Sequence, residues 1–160
     1  MLWHLMIAGA TIALALAAAG TDAAERKLRY LVGVTGSCTL LVVENLPHPC
    51  EGTLIQAEYD DGRVGFHFIA TEPEGLVVSF SGPGHMQKAP SADVRILPVD
   101  GVIKPGIAIH ATGECLYENP YAGPARVECA ARSVSGEEFR GRFLTDGSEP
   151  NVTDLGGGDG

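Results

Sequence analysis

The chain has 160 residues, a formal net charge of -9, 45% apolar and 19% charged residues, and 21 glycines with 10 prolines. That length suggests one domain. The balance excludes a polytopic membrane protein, a coiled coil, a collagen and a basic binder of nucleic acid, which phosphates would repel. In chain order, residues 1–24 read as a secretory signal peptide. An apolar run from Leu5 to Ala19 leads into small residues, with Ala17-x-Ala19 and Thr21-x-Ala23 as cleavage sites. The leader has no Lys or Arg before its apolar run. The rival reading is an uncleaved anchor, against which the basic Arg26, Lys27 and Arg29 stand on the wrong side of the run.

Residues 25–146 alternate β-rich runs with Gly, Pro, Asp and Asn punctuation. The runs are Tyr30–Val34, Cys38–Val43, Thr53–Tyr59, Arg63–Thr71, Gly75–Ser81, Asp93–Leu97, Ile107–Ala111, Gly113–Glu118, Ala125–Arg132 and Glu138–Thr145. Asp61-Gly62 and Ser135-Gly136 read as hairpin turns, and Gly82-Pro83-Gly84 and Pro98–Gly101 as loops. In the fourth run Val64, Phe66 and Phe68 share one face, and Gly65, His67 and Ile69 the other. The expected fold is an all-β, disulfide-stapled antiparallel sandwich or small barrel built from hairpins. Residues 147–160 are Gly-rich and acidic and read as a disordered tail.

Four cysteines, Cys38, Cys50, Cys115 and Cys129, follow the leader, an even count that in a small exported chain reads as two disulfides. Local pairing, Cys38 with Cys50 and Cys115 with Cys129, is preferred among the three connectivities. For the second pair an antiparallel ladder with a constant index sum of 244 sets Leu116 opposite Glu128 and Tyr117 opposite Val127. The first pair is less regular, because Pro47 and Pro49 interrupt a ladder there. Zinc is disfavoured, since C-x2-C spacing is absent.

Two stretches look alike. Cys38, Cys50, Gly62 and Phe68 recur as Cys115, Cys129, Gly136 and Phe143 at offsets of 77, 79, 74 and 75. A duplicated unit with pseudo-twofold symmetry is one reading; coincidence between two bridged hairpins that share turn vocabulary is the preferred one.

The pattern Gly113-x-Cys115-x3-Asn119-Pro120-x2-Gly123-x5-Cys129-x-Ala131, followed by Gly136, Phe139, Phe143 and Thr145-Asp146-Gly147, resembles a family of small exported bacterial proteins of unknown function with paired cysteines. So do Phe80-Ser81-Gly82 and Leu97–Asp100. The resemblance implies export and a disulfide-bonded β fold. It transfers no activity and no functional residue.

No catalytic, cofactor-binding or metal-binding constellation stands out. His67 and His110, with His85, could form a three-histidine metal site, but no H-x-H or H-x3-H spacing puts two ligands on one element, so solvated or hydrogen-bonded histidines are the better reading. Ser79 and Ser81 lie near His85 without a nucleophile elbow. Asp60-Asp61 suits turn formation rather than paired-carboxylate chemistry. Arg140 and Arg142 read as a solvated face that discourages edge aggregation. Tyr117, Asn119 and Tyr121, among Pro120 and Pro124, form the most distinctive loop and the candidate recognition surface, with an inward-packed Tyr117 as the plain alternative. The expected function is a non-catalytic binding module of the bacterial cell envelope, periplasmic or secreted. Its partner is an envelope protein or small ligand, not nucleic acid, with no cofactor and no stable membrane insertion after leader cleavage. The alternatives are a small envelope enzyme whose site sequence order hides, and a passive structural surface protein.

Overall fold

A computed structural model describes residues 26–156; the expected signal peptide over 1–24 lies outside these. The described residues form ten strands: β1 (Leu28–Val43), β2 (Leu46–Pro47), β3 (Cys50–Tyr59), β4 (Arg63–Ala70), β5 (Val77–Pro83), β6 (Val94–Lys104), β7 (Ile107–Glu118), β8 (Arg126–Ser133), β9 (Glu138–Thr145) and β10 (Asn151–Asp154). Each of β3 to β9 pairs antiparallel with the next, and β9 returns to pair with β1. The result is a closed eight-stranded up-and-down barrel, with β2 and β10 attached to β1. Of the two expected architectures, the barrel is the one formed.

Ten expected runs become eight barrel strands because two apparent breaks do not end a strand. Gly36-Ser37 lies within β1 and Thr112 within β7. Pro98–Gly101, read as a loop, stays inside β6, where the register shifts between Val99 and Gly101. Turn-type residues thus mark a β-bulge here, a device that lets a strand bend around a barrel.

The fourth run's alternation is realised. Val64, Phe66 and Phe68 are buried in the core. All five phenylalanines of the chain (Phe66, Phe68, Phe80, Phe139 and Phe143) are fully buried there, and Phe68 meets Phe80 edge to face at 5.7 Å. The lumen is therefore a packed core. Gly141, at an inward position of β9, makes room for it: a Cβ there would lie 2.5 Å from the Phe68 ring.

Both local disulfides form. Cys115 and Cys129 are directly opposite on β7 and β8, with Leu116 on Glu128 and Tyr117 on Val127, as the expected register requires. Their Cα atoms are 4.0 Å apart and both side chains belong to the core. Cys38–Cys50 joins β1 to the start of β3 at the margin of the core, beyond the last regular pair, Thr35 with Thr53.

Two expectations need correction or decision. The tail is not wholly disordered, because Asn151–Asp154 pairs with Gly33–Tyr30 of β1. β9 accompanies β1 only over Gly36–Val42, which leaves the preceding edge of β1 with open backbone groups. The tail fills that edge through main-chain bonds that its polar side chains do not advertise. The pseudo-twofold reading of the repeat fails. β1-β3-β4 and β7-β8-β9 advance the same way around the barrel, yet β1 and β7 run in opposite directions. A rotation that reversed the strands would also reverse the circular order, so no twofold axis relates them.

Candidate functional site

The outer wall of β4 to β6 carries a groove of about 730 Å³ lined by Arg63, Gly65, His67, Ser79, Ser81 and Ile103, with Arg26 and Tyr59–Asp61 at one end. A smaller trough of about 230 Å³ shares Arg26, Arg63, Ser81 and Ile103 and runs on to Gly101, Ala108 and His110. The wall is hollow because its outward positions carry short side chains. Gly65 faces Ser81 in the register, and Ser81 in turn faces Gly101.

Ser79 and Ser81 point away from the core and are still only 6% and 5% exposed. His67 covers the first: its Nδ1 is hydrogen-bonded to the Ser79 hydroxyl, its direct partner across the ladder. Burial holds the His67 imidazole below its usual pKa of 6.5. At neutral pH the ring is uncharged, so Nδ1 accepts from the Ser79 hydroxyl when the proton sits on Nε2 and donates to it when the proton sits on Nδ1. Arg63 covers the second serine. Its Nε donates to Ser81 Oγ at 3.2 Å, while its two terminal nitrogens donate to the two carboxylate oxygens of Asp100. That bidentate bond raises the Arg63 pKa and lowers that of Asp100.

The Tyr59–Gly62 turn closes one end. Asp61 accepts from the Arg63 backbone N–H at 3.1 Å and from Arg26 Nε at 2.6 Å, and Asp60 accepts from the Lys27 backbone N–H at 3.1 Å. The expected turn-forming role of this pair holds, and it also ties the N-terminal segment to the lip of the groove.

Ser79 and Ser81 take their partners from β4 rather than from His85, which sits in the short 3-10 turn Gly84–Met86. His67 and His110 do not face one another, being on β4 and β7 with β5 and β6 between. Among the described residues no group of three His, Cys, Asp or Glu could hold a metal ion. The Ser79–His67 contact is the first link of a nucleophilic dyad, but nucleophilic chemistry also needs a group that orients the imidazole and donors for an oxyanion. Among the described residues His67 Nε2 has no hydrogen-bond partner. As built, the pair offers polar edges to a bound molecule.

The recognition loop divides. Tyr117 packs inward against Phe66, with ring centroids 4.8 Å apart, and its hydroxyl donates to Gln87. Burial pushes its pKa up to about 12. Asn119 is consumed by the loop: its side chain donates to Asp93 and accepts from the Tyr121 N–H. Tyr121 alone is displayed, 61% exposed, beside a shallow depression of about 380 Å³. Arg140 and Arg142 lie on the outside of β9, ion-paired with Glu138 and Glu128. They guard no edge, since the barrel is closed there.

Sequence reading missed the groove. Its residues come from four strands, and its signal was the run of small outward residues Gly65, Ser79, Ser81 and Gly101. Comparison with protein-family models, with curated proteins and with solved structures gave no match. The two disulfides point to maturation outside a reducing compartment. Among the described residues no helix is long and apolar enough to cross a membrane.

Proposed function

We propose that the protein is an exported, non-catalytic binding module of the bacterial cell envelope, periplasmic or secreted, that holds its ligand in the groove on the wall of β4 to β6. The apolar leader, the disulfides and the resemblance to exported bacterial proteins support the location. One observation carries the binding role: buried Ser79 and Ser81, capped by half-buried His67 and Arg63, on the outside of a barrel whose inside is already full. Burying polar groups on an outer wall is costly unless they are bonded, and a core filled from within does not require it. Such a hollow with a few convergent polar groups is the usual form of a small-molecule site.

Gly65→Val tests the reading. A Cβ at Gly65 would lie 3.4 Å from His67 Nε2 and 3.8 Å from the Phe80 carbonyl, ordinary contacts that leave the core alone while the added methyls fill the groove. Thermal shift of wild type and variant against monosaccharides, oligosaccharides, amino acids, dicarboxylates and polyamines is the measurement. A compound that stabilises the wild type and not Gly65→Val supports the groove. Equal response of the two proteins to every compound overturns it. The location is checked by intact mass of the exported protein, which should lack the first 19–24 residues; recovery of Met1 in a membrane-bound form overturns it.

A further inference from the structure

We infer that the groove takes a neutral oligosaccharide; this rests on the groove being the binding site. The charges point to a neutral ligand. Each guanidinium in the lining already holds a carboxylate, Arg26 with Asp61 and Arg63 with Asp100. An incoming anion has to displace one of these partners, a cation finds only the Asp60 carboxylate, one oxygen of which already accepts from the Lys27 N–H, and His67 is uncharged at neutral pH. Such paired lining gives little field for steering an ion and costs an ion its hydration.

The polar edges match hydroxyl groups. Ser81 Oγ accepts from Arg63, which leaves its own O–H to donate, and a hydroxyl has two acceptor sites. His67 Nε2 is a donor or an acceptor according to the tautomer, and the second oxygen of Asp60 is an acceptor, neither with a partner among the described residues. Alternating donors and acceptors on serine, imidazole and carboxylate are what a polyol, itself donor and acceptor at every hydroxyl, can satisfy. A phosphate or a carboxylate offers acceptors only.

Tyr59 and Ile103 add apolar surface to the lining, together with the bare Gly65, and a sugar ring presents one C–H face along with its hydroxyl rim. Tyr carries that combination of apolar body and polar tip. Shape gives the polymer. The groove and its extension toward His110 span β4, β5, β6 and β7, three inter-strand spacings or about 14 Å. An open trough of that length suits several linked rings better than one compact molecule.

The test is an NMR titration of the isotope-labelled full chain with maltohexaose, cellohexaose and chitohexaose. Phosphate, an oligogalacturonate and spermidine serve as charged comparators. The expected result is that at least one neutral hexasaccharide shifts the signals of Gly65, His67, Gly101 and Ala108. Gly65→Val and Tyr59→Ala should each weaken it about tenfold or more, while Arg142→Ala, on the far wall, leaves it unchanged. Shifts confined to other surfaces, or none with any of the three, overturn the inference. If a charged comparator binds at these residues more tightly than every neutral sugar, the saccharide assignment falls and the groove stands. If no probe reaches these residues, both fall.

Discussion

Two outer walls of the same barrel are built on opposite principles. On β8 and β9 most outward positions carry long charged side chains, with Ala130 and Leu144 among them. Arg142 reaches Glu128 across the ladder at 2.9 Å, and these pairs stand in water. On β4 and β5 the outward positions carry Gly65, His67, Ser79 and Ser81, and the two serine hydroxyls are bonded below the surface to His67 and Arg63. Both walls cover the same phenylalanine core, so the core does not account for the difference. A wet wall of ion pairs keeps a barrel soluble. A hollow wall with satisfied polar groups is preorganised, so a ligand meets side chains whose entropy is already lost.

The largest effect that sharpens this contrast comes from the inner face beneath the wet wall. Gly141 lies between Arg140 and Arg142 but faces inward, and Gly141→Ala drives a methyl into the Phe68 ring. Overpacking of this kind costs about 1–3 kcal/mol, which urea denaturation should show as a lower midpoint. An unchanged midpoint would mean that the core yields more easily than its packing implies.

Ser79→Ala should come next, and it tests the hollow wall itself. It leaves the half-buried His67 Nδ1 without its partner, at a cost of about 1–2 kcal/mol. If Ser79→Ala were neutral in denaturation, the bonded wall would be no different from a wet one.

The pH dependence separates the walls without a ligand. The folded-state pKa of His67 lies below its value of 6.5 in the unfolded chain, so below about pH 6.5 the unfolded state binds more protons. The contribution is fully present above pH 6.5 and is lost as pH falls through the lowered folded pKa. Melting temperature should decline from pH 6.5 downward, ahead of the acid losses at carboxylates such as Asp100, whose pKa is lowered. His67→Gln should flatten that part of the profile. A profile identical in the two proteins would show that His67 is as hydrated as a surface residue.

The smallest effect is expected on the wet wall. Arg142→Ala removes an exposed ion pair, which contributes about 0–0.5 kcal/mol. A loss above about 1 kcal/mol, measured in the same denaturation series, would break the comparison by making the charged wall structural.

The sequence by itself determined what depends on near neighbours. The period-two pattern of Val64, Phe66 and Phe68 chose an inner face, since successive side chains of a strand alternate. Turn residues and a constant index sum placed Cys115 opposite Cys129. Composition and an even cysteine count set the fold class and the bridges. Tertiary structure decided what depends on closure. Whether hairpins end as sandwich or barrel is settled where β9 meets β1, more than a hundred residues apart in the chain for Cys38 and Phe143. The tail became a strand because closure left backbone on β1 to satisfy. The groove exists because register across β4 to β6 lined up small side chains from separate strands, and a serine's value as wall or ligand contact depends on which residue the neighbouring strand sets beside it.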